Sequence, residues 1–321
     1  MINVTLERGV TGTNGVKIYI RSAAMRLKSI LQILLLSASW GVSFLMMRIA
    51  VVDYPPLWIS MLRCALGAVL MWLVLLLGSH RLPPRRLFNW LLLVAFLNNA
   101  VPFSLFAWGE RWVPSNTASV LNATVPIWTL LLSMSIDRKM PRWLTSVGVA
   151  LAFLGVLVVV LTHAPMAGED TNEQGLLWGT VAIAVAALSY AVASLLAKAK
   201  LRGLDPIGLA TTQLTWAALL LLPVTLSGAP PPEWLAPAPL GAIAVLGFVG
   251  SGVAYLLYYK LLAEVSATQV VAVTYLLPVW GVFWGLLAGE SIGIATYAGV
   301  AITLGGLVLL NLPARRLDRA G

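Results

Sequence analysis

Two arginines, two adjacent asparagines and two prolines stand in stretches that otherwise offer almost no polar chemistry. Arg48 and Arg63 lie inside apolar runs, on the same side as Asp53, Glu110 and Arg111. A guanidinium in such a run must be paired, reach out to water, or serve a function. Two readings are open: an ion-pair cluster with Glu110 that seals a gate, or capture of a carboxylate from a bound molecule. Asn98 and Asn99 sit in "LNNAVPF". Adjacent helical residues point about 100° apart, so one of the two is expected to face a polar space. Pro126 in "ATVPIW" and Pro278 in "YLLPVW" fall near the middle of their runs. Proline has no N–H and clashes with the carbonyl four residues back, here that of Asn122 or Thr274. Each proline is expected to kink its helix and free a carbonyl beside a polar side chain. Lipid does not tolerate such a carbonyl, so it would face protein or water. A kink without any ligand contact is the alternative.

Other chemistry is poorly provided for. Cys64 is the single cysteine and His80 and His163 are the two histidines, which argues against a disulfide or a metal cluster. The acidic residues beside the runs, Asp53, Glu110, Asp137, Asp205, Glu264 and Glu290, all stand at run ends. No nucleophile with a base and no paired acids fall mid-run, and no Gly-rich phosphate loop with its Lys is present. Neither an enzyme, a metal nor a cofactor is expected.

The elements that must position these residues follow from composition. The 321 residues are 60% hydrophobic and 10% charged, with a mean hydropathy of +0.90. Soluble domains carry about a quarter charged residues. A membrane helix needs about 20 mostly apolar residues. Ten such runs lie near 30–50, 57–77, 87–108, 115–136, 143–162, 175–197, 207–226, 238–260, 267–288 and 292–312. The expected architecture is an all-α polytopic membrane protein with the bilayer as its main partner. Residues 1–29 form a basic N-terminal tail. Within it, 1–24 is either a disordered segment or precedes a native start at Met25. Residues 313–321 form a basic C-terminal tail.

The net charge of +9 would suit nucleic acid, but 18 of the 21 Lys and Arg fall on one side of the ten runs. The positive-inside rule then places both termini in the cytoplasm and excludes nucleic acid as the natural partner.

The runs repeat. "SWGVSFLMMR" (39–48) resembles "SYAVASLLAK" (189–198), and at the same offset Pro56 meets Pro206 and Arg63 meets Gln213. "GVALAFLGV" (148–156) matches "GVAITLGGL" (299–307). Five runs per copy is an odd number, so the second copy enters from the opposite side. The halves, 30–162 and 175–312, form an inverted repeat, the arrangement of alternating-access transporters with a site where the halves meet. Span 4 carries Ser115, Ser119, Asn122, Pro126, Thr129 and Ser133 along one face, and span 9 carries Ala267, Val271, Thr274, Pro278, Gly281 and Gly285. Helix packing and a polar path are both open for these stripes. Further candidate substrate contacts are Ser39, Trp40 and Ser43 in span 1, Ser189 and Tyr190 in span 6, Tyr255 and Tyr258 in span 8, and Tyr275 in span 9. Trp40 and Tyr190 are equivalent aromatics that could sandwich a planar substrate. Trp128 and Trp280 point away from their prolines, toward other helices or lipid.

With "SWGVSF", "PPLWISMLR", "TVPIW", "LLPVW" and the Gly289–Glu290 pair in this order, the chain resembles the ten-span EamA-type branch of the drug/metabolite transporter superfamily. The likeness covers about 30–312. One departure is "IDRKM" after span 4, where Asp137 stands in place of the family's Gly-Glu pair. The resemblance implies a non-enzymatic transporter in the bacterial inner membrane, usually exporting metabolites. Small neutral or zwitterionic substrates such as amino acids are expected, because no carboxylate lies mid-span. Proton-coupled efflux of cationic drugs is the alternative. Pro126, Pro278, Arg48, Arg63, Glu110 and Glu290 are the expected gate residues.

Overall fold

A computed structural model describes residues 13–138, 143–162, 173–228, 230, 236–264, 267–290 and 292–310. The tail before Thr13, the tail 313–321 and the side chains of Asp137, Glu264, Ala267 and Val271 lie outside the described residues. All regular structure among the described residues is helical. Eight helices are long and apolar enough to cross a membrane: Lys28–Ala50, Pro56–Leu77, Arg85–Gly109, Ser115–Ile136, Trp143–Leu161, Glu173–Lys200, Pro206–Ser227 and Pro237–Leu261. They are spans 1 to 8. Spans 9 and 10 are the helices Ala267–Leu287 and Ile294–Leu310, each with a shorter apolar stretch. Span 1 ends a continuous helix that begins at Thr13. Pro56 and Pro206 open spans 2 and 7, where a missing N–H costs nothing.

Packing follows the repeat. Exchanging the halves maps span 1 onto 6, 2 onto 7, 3 onto 8, 4 onto 9 and 5 onto 10. Span 2 lies along span 7, span 5 along span 10, and span 4 against span 9, each pair mapping onto itself. Span 1 packs on spans 9 and 8, as span 6 packs on spans 4 and 3. Span 3 packs on span 7, as span 8 packs on span 2. Glycine makes the closest of these contacts possible. A Cβ on Gly306 would fall 2.6 Å from the Gly148 carbonyl oxygen, and one on Gly299 would fall 2.8 Å from that of Gly155. Gly148 is the repeat equivalent of Gly299, and Gly155 of Gly306. Small residues of this kind let helices approach in lipid, where no hydrophobic drive brings them together. The outer faces present Leu76, Leu77, Leu161, Ile294 and Val308, an exterior suited to acyl chains.

The two prolines act differently. Span 4 breaks into helices Ser115–Asn122 and Val125–Asp137, and Pro126 sits in the first turn of the second. Thr124 donates its hydroxyl to the Leu121 carbonyl at 2.6 Å and its N–H to the same oxygen at 3.1 Å, so the break satisfies itself locally. Pro278 stays inside one unbroken helix. The matched kinks expected from the repeat are therefore one break and one continuous span.

Candidate functional site

Span 3 changes pitch midway. It is α-helical to Ala95, widens to a π-turn over Phe96–Ala100, and resumes at Val101. Pro102 supplies the cause. Having no N–H, it leaves the carbonyls of the preceding turn short of a donor. The Val101 N–H bonds back to the Phe96 carbonyl, and the Ser189 hydroxyl of span 6 donates to the Leu97 carbonyl at 2.7 Å. The wide turn carries both asparagines toward span 8. Asn99 Nδ2 donates to the Tyr255 hydroxyl at 2.9 Å, and Asn98 Nδ2 to Gln213 Oε1 at 3.1 Å and to the Tyr255 hydroxyl at 3.4 Å. Both asparagines thus serve one interhelical network.

The equivalent stretch of span 8, Val245–Val253, is also a π-segment. Its Gly247 and Gly252 admit span 2: a Cβ on either would fall 2.5 Å from Leu66 or Leu70. Such turns recur at functional sites.

Arg63 lies between these two segments. It is 7% exposed. Its Nε donates to the Ser251 hydroxyl of span 8 at 3.0 Å, and its guanidinium lies 3.9 Å over the Phe103 ring of span 3. Tyr190 and Tyr255 lie within its field. The repeat equivalent, Gln213, is 4% exposed and neutral. Arg63, Asn98, Asn99, Gln213, Ser251 and Tyr255 therefore form a polar cluster drawn from both halves. Asn99 Oδ1 is buried in it without a hydrogen-bond partner. Sequence reasoning missed Gln213 and Ser251 as members. The signals were the pairing of Gln213 with Arg63 in the repeat and a single serine among the glycines of "GFVGSGV".

Arg48 and Glu290 each hold a helix end. Arg48 Nη1 donates to the backbone carbonyls of Glu110 at 2.7 Å and Arg111 at 2.9 Å, where span 3 ends. Glu290, from the turn between spans 9 and 10, accepts from the N–H groups of Ser115 at 2.9 Å and Asn116 at 3.2 Å, and from Asn116 Nδ2 at 2.5 Å. Helix termini carry partial charges, positive at the N-terminus and negative at the C-terminus, and these draw the side-chain charges. Glu110 is 1% exposed, and neither carboxylate oxygen has a hydrogen-bond partner. Among the described residues it forms no ion pair with Arg63; the two interact only through their fields.

Ser39 and Ser43 donate to the carbonyls of Leu35 at 2.8 Å and Ser39 at 3.1 Å, and the Ser43 hydroxyl abuts Gly250. Trp40 stacks at a tilt on Tyr258, 5.6 Å between centroids, whereas Tyr190 meets Phe106 at 6.3 Å. The two equivalent aromatics thus sit in separate clusters. Ser119 donates to the Asn116 carbonyl at 2.6 Å and lies against Gly281. Asn122 Oδ1 is buried without a partner. Thr274 and Tyr275 are half-buried in span 9, Tyr275 against the Ala123 and Ile127 cluster. Trp280 Nε1 donates to Ser37 at 2.9 Å, and its Cβ rests on Gly41. Trp128 Nε1 donates to Thr124 at 3.2 Å beside Phe153. A groove of about 270 Å³, lined by Phe96, Ala100, Leu105, Leu221 and Val224 among others, holds none of the cluster's polar groups.

Outside the spans, Asp205 organises one end of the bundle. Its Oδ1 accepts from the N–H groups of Ile207 at 2.9 Å and Gly208 at 3.1 Å, and its Oδ2 from the Arg81 N–H at 3.2 Å, with His80 Nδ1 also at 3.2 Å. Burial alone would raise this carboxyl. The N–H donors of Gly208 and Arg81, with His80 and Ile207, outweigh it and hold the group below its usual value.

The architecture has known counterparts. The model of the EamA-like transporter family matches residues 27–161 and again 177–312, one copy per half. The inner membrane transporter YedA of Escherichia coli (strain K12) is 30% identical over 283 residues, covering 83% of this chain and 87% of the relative. The transporter YoaV of Bacillus subtilis (strain 168) is 25% identical over 288 residues, covering 88% and 96%. A solved crystal structure with 19% identity superposes at a TM-score of 0.65 over 91% of this chain and 99% of its own, which establishes a shared fold. With two family domains and a whole-length transporter relative, this multi-pass inner-membrane chain belongs to the EamA-like transporter family.

Proposed function

We propose that this transporter works by alternating access and exports small neutral or zwitterionic organic metabolites, amino acids and related compounds first among them. The observation that carries this reading is the polar cluster of Arg63, Asn98, Asn99, Gln213, Ser251 and Tyr255 where spans 2 and 3 meet spans 7 and 8. Polar side chains are costly inside a membrane bundle and mark the path of a polar substrate. Sites in inverted-repeat transporters lie between the repeats. Both termini are taken as cytoplasmic from the basic residues, so Arg48 and Glu290 close the outer side. Each ties a helix end of the first half in place, and Glu290 does so from the second half. Rocking of spans 1–5 against 6–10 breaks the Glu290 contacts and opens that side.

One observation favours a second reading, proton-coupled efflux of cations. Glu110 is a buried carboxylate without a hydrogen-bond partner, and ionising such a group away from water is costly. A group of that kind can carry a proton. Purified protein in liposomes, given amino acids, nucleosides and cationic drugs with and without a pH gradient, separates the two. Saturable amino-acid flux supports the first reading. Cation flux that requires the gradient overturns it and makes Glu110 the first carrier to test.

A further inference from the structure

We infer that Arg63 is the receptor for a carboxylate on the transported molecule, so that the site selects organic acids and amino acids over their amides and amines. The inference rests on the transport reading for its biological setting, and on the geometry of Arg63 for its chemistry. Arg63 stands seven positions into span 2, about 10 Å along the helix at 1.5 Å per residue. A guanidinium stays protonated under all ordinary conditions, so it cannot escape burial by losing its charge. Burial of an uncompensated charge is strongly unfavourable.

The protein compensates it only in part. Of the five N–H donors, Nε alone has an acceptor among the described residues, the Ser251 hydroxyl. Phe103 covers one face of the plane. No carboxylate oxygen of the described residues comes within the 4.0 Å of an ion pair. Glu110, a carboxylate that exerts a field on it, keeps its own oxygens unbonded. Gly250 of span 8 lies beside the outer end of the fork, where a Cβ would stand 3.6 Å from Nη2, in ordinary contact. Four donors of a buried planar fork without an acceptor among the described residues match the two oxygens of a carboxylate. Asn99 Oδ1, an unpartnered acceptor in the same cluster, offers the complementary contact for an ammonium group. The repeat supports a specific role. The second half holds neutral Gln213 at the equivalent place, so packing in this fold accepts an uncharged side chain there.

The test pairs flux with binding. Wild type, Arg63→Lys and Arg63→Gln are purified, checked for monodispersity, and reconstituted. Phenylalanine and leucine are compared with their amides and with the amines lacking the carboxylate. The same compounds are assayed by thermal shift in detergent. Wild type is expected to move and be stabilised by the acids at least about tenfold better than by the amides, a bidentate charged contact being lost in the amide. Arg63→Gln is expected to lose that preference while remaining folded, with a melting temperature at or above wild type because a buried charge is gone. Arg63→Lys is expected to fall between, since a point charge replaces a fork. Equal treatment of acid and amide by wild type, or an acid preference surviving in Arg63→Gln, overturns the inference. If Arg63→Gln does not fold, the acid-to-amide comparison in wild type and Arg63→Lys decides. If wild type binds acids selectively through Arg63 yet moves nothing, the site stands and the transport reading falls.

Discussion

Glu290 does for span 4 what Asp205 does for span 7: a carboxylate takes the first N–H groups of a helix. Asp205 caps its own helix, whereas Glu290 reaches from the other half of the chain. Removing Glu290 leaves buried donors at Ser115 and Asn116 unpaired. Glu290→Ala is therefore expected to cost about 1.5–3 kcal/mol, the range for hydrogen bonds to a charged group, with Glu290→Gln milder because an acceptor remains. Thermal unfolding in detergent measures both, and an unchanged melting temperature for Glu290→Ala would remove the cap from any structural role. Asp205→Ala is expected to cost about 1 kcal/mol as a lost cap. Here pH gives a second check. The folded carboxyl titrates below its unfolded value, so its charge stabilises fully above the unfolded value and that stabilisation is lost as pH falls through the folded one. The deficit of Asp205→Ala should hold at neutral pH and shrink below about pH 4. A deficit that grew on acidification would contradict this assignment. The Glu290 cap was hard to read from sequence because its donors lie far away along the chain, although the residue itself stood out.

Elements were legible wherever hydropathy or the repeat marks them. All ten apolar runs became helices, and the paired "GVALAFLGV" and "GVAITLGGL" stretches became the span 5–span 10 contact. Pitch within a span was not legible. "LNNAVPF" shows two asparagines and a proline, but the π-turn follows only once Ser189 from another span takes the freed carbonyl. The prolines of spans 4 and 9 show the same limit. Pro126 follows Thr124, whose hydroxyl and N–H close a local turn, whereas the helix runs on through Pro278. The glycine contacts give a test with an internal control. A methyl on Gly155 meets Thr303 and the Gly299 backbone, while one on Gly305, in the facing span, meets nothing within 4 Å. Gly155→Ala is expected to destabilise by about 1–3 kcal/mol through overpacking, and Gly305→Ala to be neutral or slightly stabilising as a helical glycine replaced. Equal melting temperatures for the two variants would mean that spans 5 and 10 do not pack as closely as described.

At the scale of the whole molecule, the inverted repeat decides how the halves depend on each other. The halves do not sit side by side as two bundles. Span 1 lies on spans 8 and 9, and span 6 on spans 3 and 4, so each half's first helix is held by the other half. The Glu290 cap crosses in the same way, and so does the Arg63–Ser251 bond within the polar cluster. One half alone would leave span 1 or span 6 without most of its packing and the cluster without half of its members. The repeat was legible from sequence at a few aligned motifs; one place where its symmetry is chemically broken, Arg63 against Gln213, was legible too, but not its consequence. The exchange predicts the behaviour of a chain cut between Thr162 and Glu173. Each half expressed alone is expected to be unstable and inactive. Co-expressed halves should co-purify and restore flux, at a lower level set by their abundance, because cutting the link removes the effective concentration it provides. A half that purified alone as a stable, transporting assembly would show that its own copies can replace the missing partner. Because the two halves enter the membrane in opposite directions, such copies would have to insert in both orientations, which charge mapping of their loops would reveal.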